Sequence, residues 1–153
     1  MVETDIQRYN RQELIDGWDQ SKLKNATVTI VGSGPIGQQT ALPLAALGVG
    51  NIRIIDTAKG EENDQLLDLS LRGDARVKSL EEKLQIINPE VKVRGIVSEM
   101  TTLGAQYFLA NSNVIIDATN DPRSKVCVLD YVTKKRSRFI SASGNSYEGK
   151  VVY

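Results

Sequence analysis

Five short β-branched runs recur along this chain, each followed by a stretch of helical length except the last, and that alternation leaves few architectures open. The runs cover residues 27–31, 52–55, 91–96, 114–116 and 139–141, and amphipathic helical patterns cover 35–47, 75–87, 103–110 and 123–135. Gly48 follows the first helical pattern and Asn88-Pro89 the second, both normal stop signals. Strands that alternate with helices are joined by right-handed crossovers, so the expected fold class is α/β, with a Rossmann-like, doubly wound and mostly parallel sheet. The first and fourth runs are almost continuously apolar, which suits central strands covered on both faces. The pattern also predicts an N-terminal helical extension over residues 11–24 and a last strand within residues 148–153. Without a repeat or a linker-like stretch, residues 1–153 read as a single domain, long enough to bury a sizeable core.

Composition narrows the chemistry. The 19 basic and 19 acidic side chains balance, which gives no overall pull toward nucleic acid or an anionic membrane. The densest basic run, Lys134-Lys135-Arg136 with Arg138, reads as a solvated helix end. One cysteine forbids an internal disulfide and a multi-thiolate zinc site, and points to a reduced, cytoplasmic setting. No histidine is present, which removes Ser-His-Asp and Cys-His nucleophiles and His-ligated zinc. The opening residues lack the apolar run of a signal peptide, and no stretch approaches the length of a membrane span. What remains is chemistry by carboxylates, amides, lysine, arginine and backbone dipoles.

Immediately after the first strand comes Gly32-Ser33-Gly34-Pro35-Ile36-Gly37, a G-x-G-x-x-G between a strand and a helix. In such a loop Gly32 permits the tight turn, Gly34 lets a phosphate approach the backbone, and Gly37 allows close helix packing. The backbone N–H groups around Ser33 and Ile36, together with the helix dipole, then face the anion. Pro35 sits where a helix tolerates proline, at the cost of one donor. The second strand ends in Asp56, which can accept hydrogen bonds from ribose hydroxyls and repels a 2′-phosphate, favouring an adenosine ligand over NADP. The same features read structurally are a glycine-rich turn and a strand-terminal acid of an α/β protein that binds nothing.

More than the loop matches a known pattern. Arg8-Tyr9-Asn10-Arg11-Gln12 resembles the R-Y-x-R-Q opening of the ThiF/MoeB/HesA family, relatives of the ubiquitin-activating enzymes. Ala45-Ala46-Leu47-Gly48-Val49-Gly50-Asn51, Ile87-Asn88-Pro89, Asp117-Ala118-Thr119-Asn120-Asp121 and Glu148-Gly149-Lys150-Val151 are similar, in order, to that family's A-x-x-G-V-G-x, I-N-P, D-x-T-D-N and E-G-Q-I. The resemblance implies adenylation, with Mg-ATP, of the C-terminal carboxylate of a ubiquitin-like or sulfur-carrier protein, within a homodimer or a heterodimer with a related subunit. It further implies that Arg11 reaches across a dimer to the phosphates, that Arg76 stands where the family has its phosphate lysine, and that Asn63 aligns with a family asparagine. The family's magnesium aspartate corresponds to Asn120, and Asp121 beside it is the carboxylate available for the metal.

The departures are local. Ala58 replaces the second acid of D-x-D-x-V, and the segment from Glu61 to Leu67 contains no arginine where the family has its phosphate arginine. Losing a positioned arginine from such a site costs orders of magnitude in rate, so reduced or partner-dependent activity is expected. In longer relatives the catalytic cysteine and zinc ligands lie beyond the point reached by Tyr153, and Cys127, between two valines in a helix, is expected to be a buried core residue. Two other readings stand beside adenylation: a non-catalytic half of a heterodimeric activating enzyme, and an NAD-binding oxidoreductase. The second draws on the glycine fingerprint and Asp56; the Y-x-x-x-K spacing of Tyr131 and Lys135 falls where the family has an ordinary helix and is read as coincidence.

Overall fold

The protein is described from a computed structural model that covers residues 8–59, 75–145 and 147–153. Its elements, in order, are α1 (Asn10–Glu13), α2 (Gln20–Lys24), β1 (Thr27–Val31), α3 (Pro35–Ala46), β2 (Asn51–Asp56), α4 (Arg76–Ile87), β3 (Lys92–Val97), α5 (Thr102–Phe108), β4 (Val114–Asp117), α6 (Pro122–Lys135), β5 (Phe139–Gly144) and β6 (Gly149–Val152).

The strands form one sheet in the order β3-β2-β1-β4-β5-β6. Strands β1 to β5 pair in parallel, and β6 returns antiparallel along β5. Helices α3 and α4 cover one face, where Ala41, Ala45, Val77, Leu80 and Leu84 pack on Ile30, Ile52 and Ile54. Helices α5 and α6 cover the other, where Ala105, Leu109, Val128 and Val132 pack on Val31, Ile55 and Ile115. The apolar runs of β1 and β4 are central strands buried on both faces, whereas β3 at the edge alternates buried and exposed positions. Full burial of side chains such as Ile30, Ile54 and Leu84 stabilises the fold by about 1.5–3 kcal/mol each. The chain uses one face for its first two crossovers and the other for the next two. Between β1 and β4 the winding therefore reverses, and a crevice opens above the strands' C-terminal ends.

The N-terminal extension differs from the single helix that the pattern predicts. Two short helices form, because Gly17 takes φ +78° and Asp19 begins a new helix by accepting hydrogen bonds from the N–H groups of Ser21 and Lys22. This segment is held at the N-terminal end of the sheet. The buried Asn88 amide donates to the Tyr9 hydroxyl at 2.8 Å and to the Ala45 carbonyl at 2.7 Å. Gln12 and Gln20 both donate to the carbonyl of Leu47. Gly48, at φ +82°, leaves room for the Tyr9 ring, since a Cβ there would stand 2.7 Å from it. Among the described residues no helix is long and apolar enough to cross a membrane.

Candidate functional site

The three loop glycines have three separate physical reasons. Gly32 has φ +101°, and a Cβ on it would stand 2.7 Å from the carbonyl oxygen of Ala118. Only glycine lets the turn after β1 lie against the exit from β4, where the Ala118 N–H also donates to the Val31 carbonyl at 2.8 Å. A Cβ on Gly37 would fall 2.0 Å from the Gly32 oxygen, so the first turn of α3 sits directly on the loop. Gly34 is different, with an ordinary φ of −68° and nothing within 4 Å of the Cβ it lacks. Its missing side chain serves open space above the loop and no backbone requirement.

Between these glycines Ser33 is fully buried and fastened on both sides. Its N–H and its hydroxyl donate to Oδ2 of Asp56 at 2.7 and 2.8 Å. Its carbonyl accepts from the buried amide of Gln38 at 2.8 Å. In a trans peptide the C=O and the following N–H point in opposite directions, so the Gly34 N–H is turned outward. With the first-turn N–H groups of Ile36 and Gly37, which a helix leaves without intrahelical partners, it makes a donor cluster at the positive end of α3. The Ile36 side chain packs into the core, and its part in the site is its backbone.

A cleft of about 570 Å³ lies over the switch point, within the range of small-molecule sites. Its lining includes Gly32, Asp56, Thr57, residues 98–102, Thr119, Asp121, Arg123, Ser124 and Cys127. Burial pushes the Asp56 carboxyl up, but hydrogen bonds from Ser33, Ala58 and Thr57 outweigh it and hold it below the ordinary aspartate value. Asp121 caps α6, accepting from the Ser124 hydroxyl and N–H and from the Arg123 N–H, which lowers its pKa as well. Among the described residues no group of three or more His, Cys, Asp or Glu side chains gathers as it would to hold a metal ion.

The remaining expected residues divide by position. Arg76 opens α4, and its N–H donates to the Ala58 carbonyl at 2.9 Å, which ties that helix start to the loop after Asp56. Asn120 is exposed and is not among the residues lining the cleft. Arg11 is exposed on α1, beside the Leu47 end of α3. The 12-residue α3 spans about 18 Å, so Arg11 stands at the pole opposite its own glycine loop. Asn63 and the segment from Glu61 to Leu67 lie outside the described residues. Tyr131 and Lys135 fall in the second half of α6, away from the cleft lining. Cys127 departs from expectation: it is half-buried rather than a core thiol, because its position on α6 faces the gap toward Thr102, whose Oγ1 is 3.9 Å from its sulfur.

One cluster at this end escapes sequence reasoning. Asp117, at the end of β4, is buried and pairs with Lys125 Nζ at 2.7 Å, while Ser141 donates to the same carboxylate oxygen at 2.7 Å. The signal that could have found it is register, since Ser141 is the β5 partner of Asp117 and Lys125 lies just inside the following helix.

Sheet order, reversal of winding and a glycine loop at the switch point define a Rossmann-type α/β domain. The ThiF family model matches residues 8–153, and the chain belongs to the ThiF family. It is 30% identical over 155 residues to the adenylyltransferase and sulfurtransferase UBA4 of Vanderwaltozyma polyspora, covering 96% of this chain and 36% of that protein. To the sulfur carrier protein ThiS adenylyltransferase of Bacillus subtilis it is 31% identical over 142 residues, covering 87% and 42%. The chain thus spans well under half the length of these curated relatives. Among solved structures, the E. coli tRNA N6-threonylcarbamoyladenosine dehydratase TcdA superposes with a TM-score of 0.83 at 25% identity, covering 91% of this chain and 61% of that one. TcdA has also been solved in complex with ATP.

Proposed function

We propose that this domain binds Mg-ATP in the cleft and adenylates the C-terminal carboxylate of a ubiquitin-like or sulfur-carrier protein, with activity that is reduced or depends on a partner subunit. The observation that carries this reading is Gly34: open space above it, an ordinary backbone beneath it, and an N–H turned outward at the start of α3. A Cβ there would fill the approach path of a phosphate. Support also comes from relatives named as adenylyltransferases.

In the reaction a carrier carboxylate oxygen forms a bond to the α-phosphorus as the bond to pyrophosphate breaks. The N–H groups of Gly34, Ile36 and Gly37 stabilise the charge on the phosphates, and Arg76 adds a cation beside them. Asp121 is the cleft carboxylate suited to magnesium, which when bound neutralises phosphate oxygens. Arg11 cannot serve its own loop from the far pole of α3, so its phosphate contact belongs to a second copy or a related subunit. A reduced, cytoplasmic setting suits the single thiol.

Pyrophosphate–ATP exchange that depends on a carrier ending in Gly-Gly tests the reading. Exchange that is absent with every such carrier from the same organism sinks it. A second reading, the non-catalytic half of a heterodimer, is favoured by Asn120 and Ala58 standing where the family has acids. It predicts no thermal shift with ATP, together with activation of a full-length relative that Arg11→Ala abolishes.

A further inference from the structure

The side chains around the cleft carry the wrong sign for a phosphate ligand, with one exception. Of the described residues that line it, Asp56, Glu99 and Asp121 are acids and Arg123 is the one cation. Arg76 opens α4 outside that lining, and no arginine occurs from Glu61 to Leu67. Even with magnesium bound, a triphosphate carries net negative charge, and three carboxylates without a cation among them would oppose its entry. The backbone N–H groups of the loop offset part of this, which leaves Arg123 as the lining side chain able to supply the rest. Its position follows from the loop. A Cβ on Gly32 would stand 2.7 Å from the Ala118 oxygen and 2.9 Å from the Thr119 nitrogen, so the loop lies against the exit from β4. From there a tight turn leads into α6: the Asp121 N–H donates to Oγ1 of Thr119 at 3.1 Å, and the Asp121 carboxylate accepts the N–H groups of Arg123 and Ser124. Arg123 is thereby held at the start of α6, on the same cleft lining as Gly32. It is exposed, and among the described residues no carboxylate comes within ion-pair distance of its guanidinium. Lys125, two residues further on, shows the contrast: its charge is spent on Asp117.

We propose that Arg123 binds the triphosphate of the nucleotide in this cleft, in place of the phosphate arginine that the segment after Asp56 lacks. This rests on the nucleotide-binding reading above and names the side chain that recognises the phosphates. A guanidinium presents paired N–H donors in one plane, a geometry that meets two phosphate oxygens at once. Supplied from the start of α6, it comes from the same turn as Asp121, so one short segment brings both the cation and the carboxylate suited to magnesium.

Titration calorimetry with Mg-ATP on the wild-type chain, Arg123→Gln, Arg123→Lys and Arg136→Gln tests this. Arg136 stands about 20 Å further along α6 and controls for a change of net charge alone. Arg123→Gln is expected to weaken binding by about thirtyfold, Arg123→Lys by about threefold because the charge stays and the fork is lost, and Arg136→Gln by less than about twofold. Both arginines are exposed, so all three variants should keep the wild-type urea midpoint. A folded Arg123→Gln that binds Mg-ATP within about threefold of wild type overturns the inference, and so does an equal loss in Arg136→Gln. Either result leaves the nucleotide reading intact. No binding by any of the four proteins, wild type included, removes both.

Discussion

The ammonium of Lys125 lies 2.7 Å from Oδ2 of Asp117, a carboxylate only 1% exposed, while Lys125 itself keeps 26% of its side chain in solvent. The Ser141 hydroxyl shares that oxygen, and the Thr119 N–H donates to the other at 3.1 Å. One buried charge thereby ties the ends of β4 and β5 to the first turns of α6, the helix that brings Asp121 and Arg123 to the cleft. The arrangement belongs to the scaffold of the site: it fixes where the turn from Asp117 to Asp121 can go.

Lys125→Met should therefore leave a buried carboxylate without its counter-charge and lower the unfolding free energy by about 3 kcal/mol, read from urea denaturation. Adding Asp117→Asn removes the orphaned charge and should recover part of that loss. If the two substitutions are simply additive, the pair is not coupled as its geometry implies.

The glycines of the loop separate fold from binding. Gly37→Ala would force a Cβ to within 2.0 Å of the Gly32 carbonyl oxygen and should destabilise the domain by about 3 kcal/mol. A Cβ on Gly34 meets nothing within 4 Å and the backbone suits any residue, so Gly34→Val should cost no more than about 1 kcal/mol, the loss of a favoured N-cap. Its nucleotide affinity should nonetheless fall by about tenfold or more, because the branched side chain occupies the phosphate's approach. Equal ATP affinity in folded Gly34→Val would remove the loop from the site.

Much of this was legible because local signals and tertiary structure agree. Residues 27–31 read as a central strand from the apolar run alone, and β1 is that strand; the strand-loop-helix order by itself puts Gly32, Gly34 and Gly37 in the turn that follows. The misreadings arose where a weak periodic pattern met local chemistry. Helical periodicity over residues 11–24 ignored Gly17 and the capping Asp19, which split it into α1 and α2. Cys127 looked like core between two valines, but only a structure gives the gap between α5 and α6 that it faces. The Asp117–Lys125–Ser141 cluster joins three consecutive elements, β4, α6 and β5, and shows only once the β4–β5 register sets Ser141 beside Asp117. The engagement of Asp56 by Ser33 likewise depends on a loop curling back on the neighbouring strand.

Asp56 also gives the domain a pH signature. Its hydrogen bonds hold the folded pKa below the unfolded one, so the unfolded chain binds the proton more readily. The stabilisation is complete above the ordinary aspartate value and is lost as pH falls through the depressed folded value, a window below about pH 4. Urea midpoints measured from pH 7 downward should fall more steeply at the acid end for wild type than for Asp56→Asn. Parallel acid limbs would mean that Ser33 and Ala58 do not favour the ionised carboxylate.

The position of Arg11 makes a prediction about assembly. Gln12 and Gln20 fix α1 and α2 to the Leu47 carbonyl at one end of α3, while the glycine loop and the first-turn N–H groups lie at its other end, about 18 Å away. An arginine so held acts on another subunit's phosphates or on none. Arg11→Ala and Gly34→Val should each abolish carrier-dependent pyrophosphate exchange when assayed alone, the first for want of the arginine and the second for want of the loop. Co-refolded in equal amounts, they should regain about a quarter of wild-type exchange, because half of the dimers are mixed and each mixed dimer joins one intact loop to one intact arginine. If Arg11 acted within its own chain, no mixture would contain a complete site. An inactive co-refolded mixture, with dimers present by light scattering, would therefore rule out the contribution across subunits.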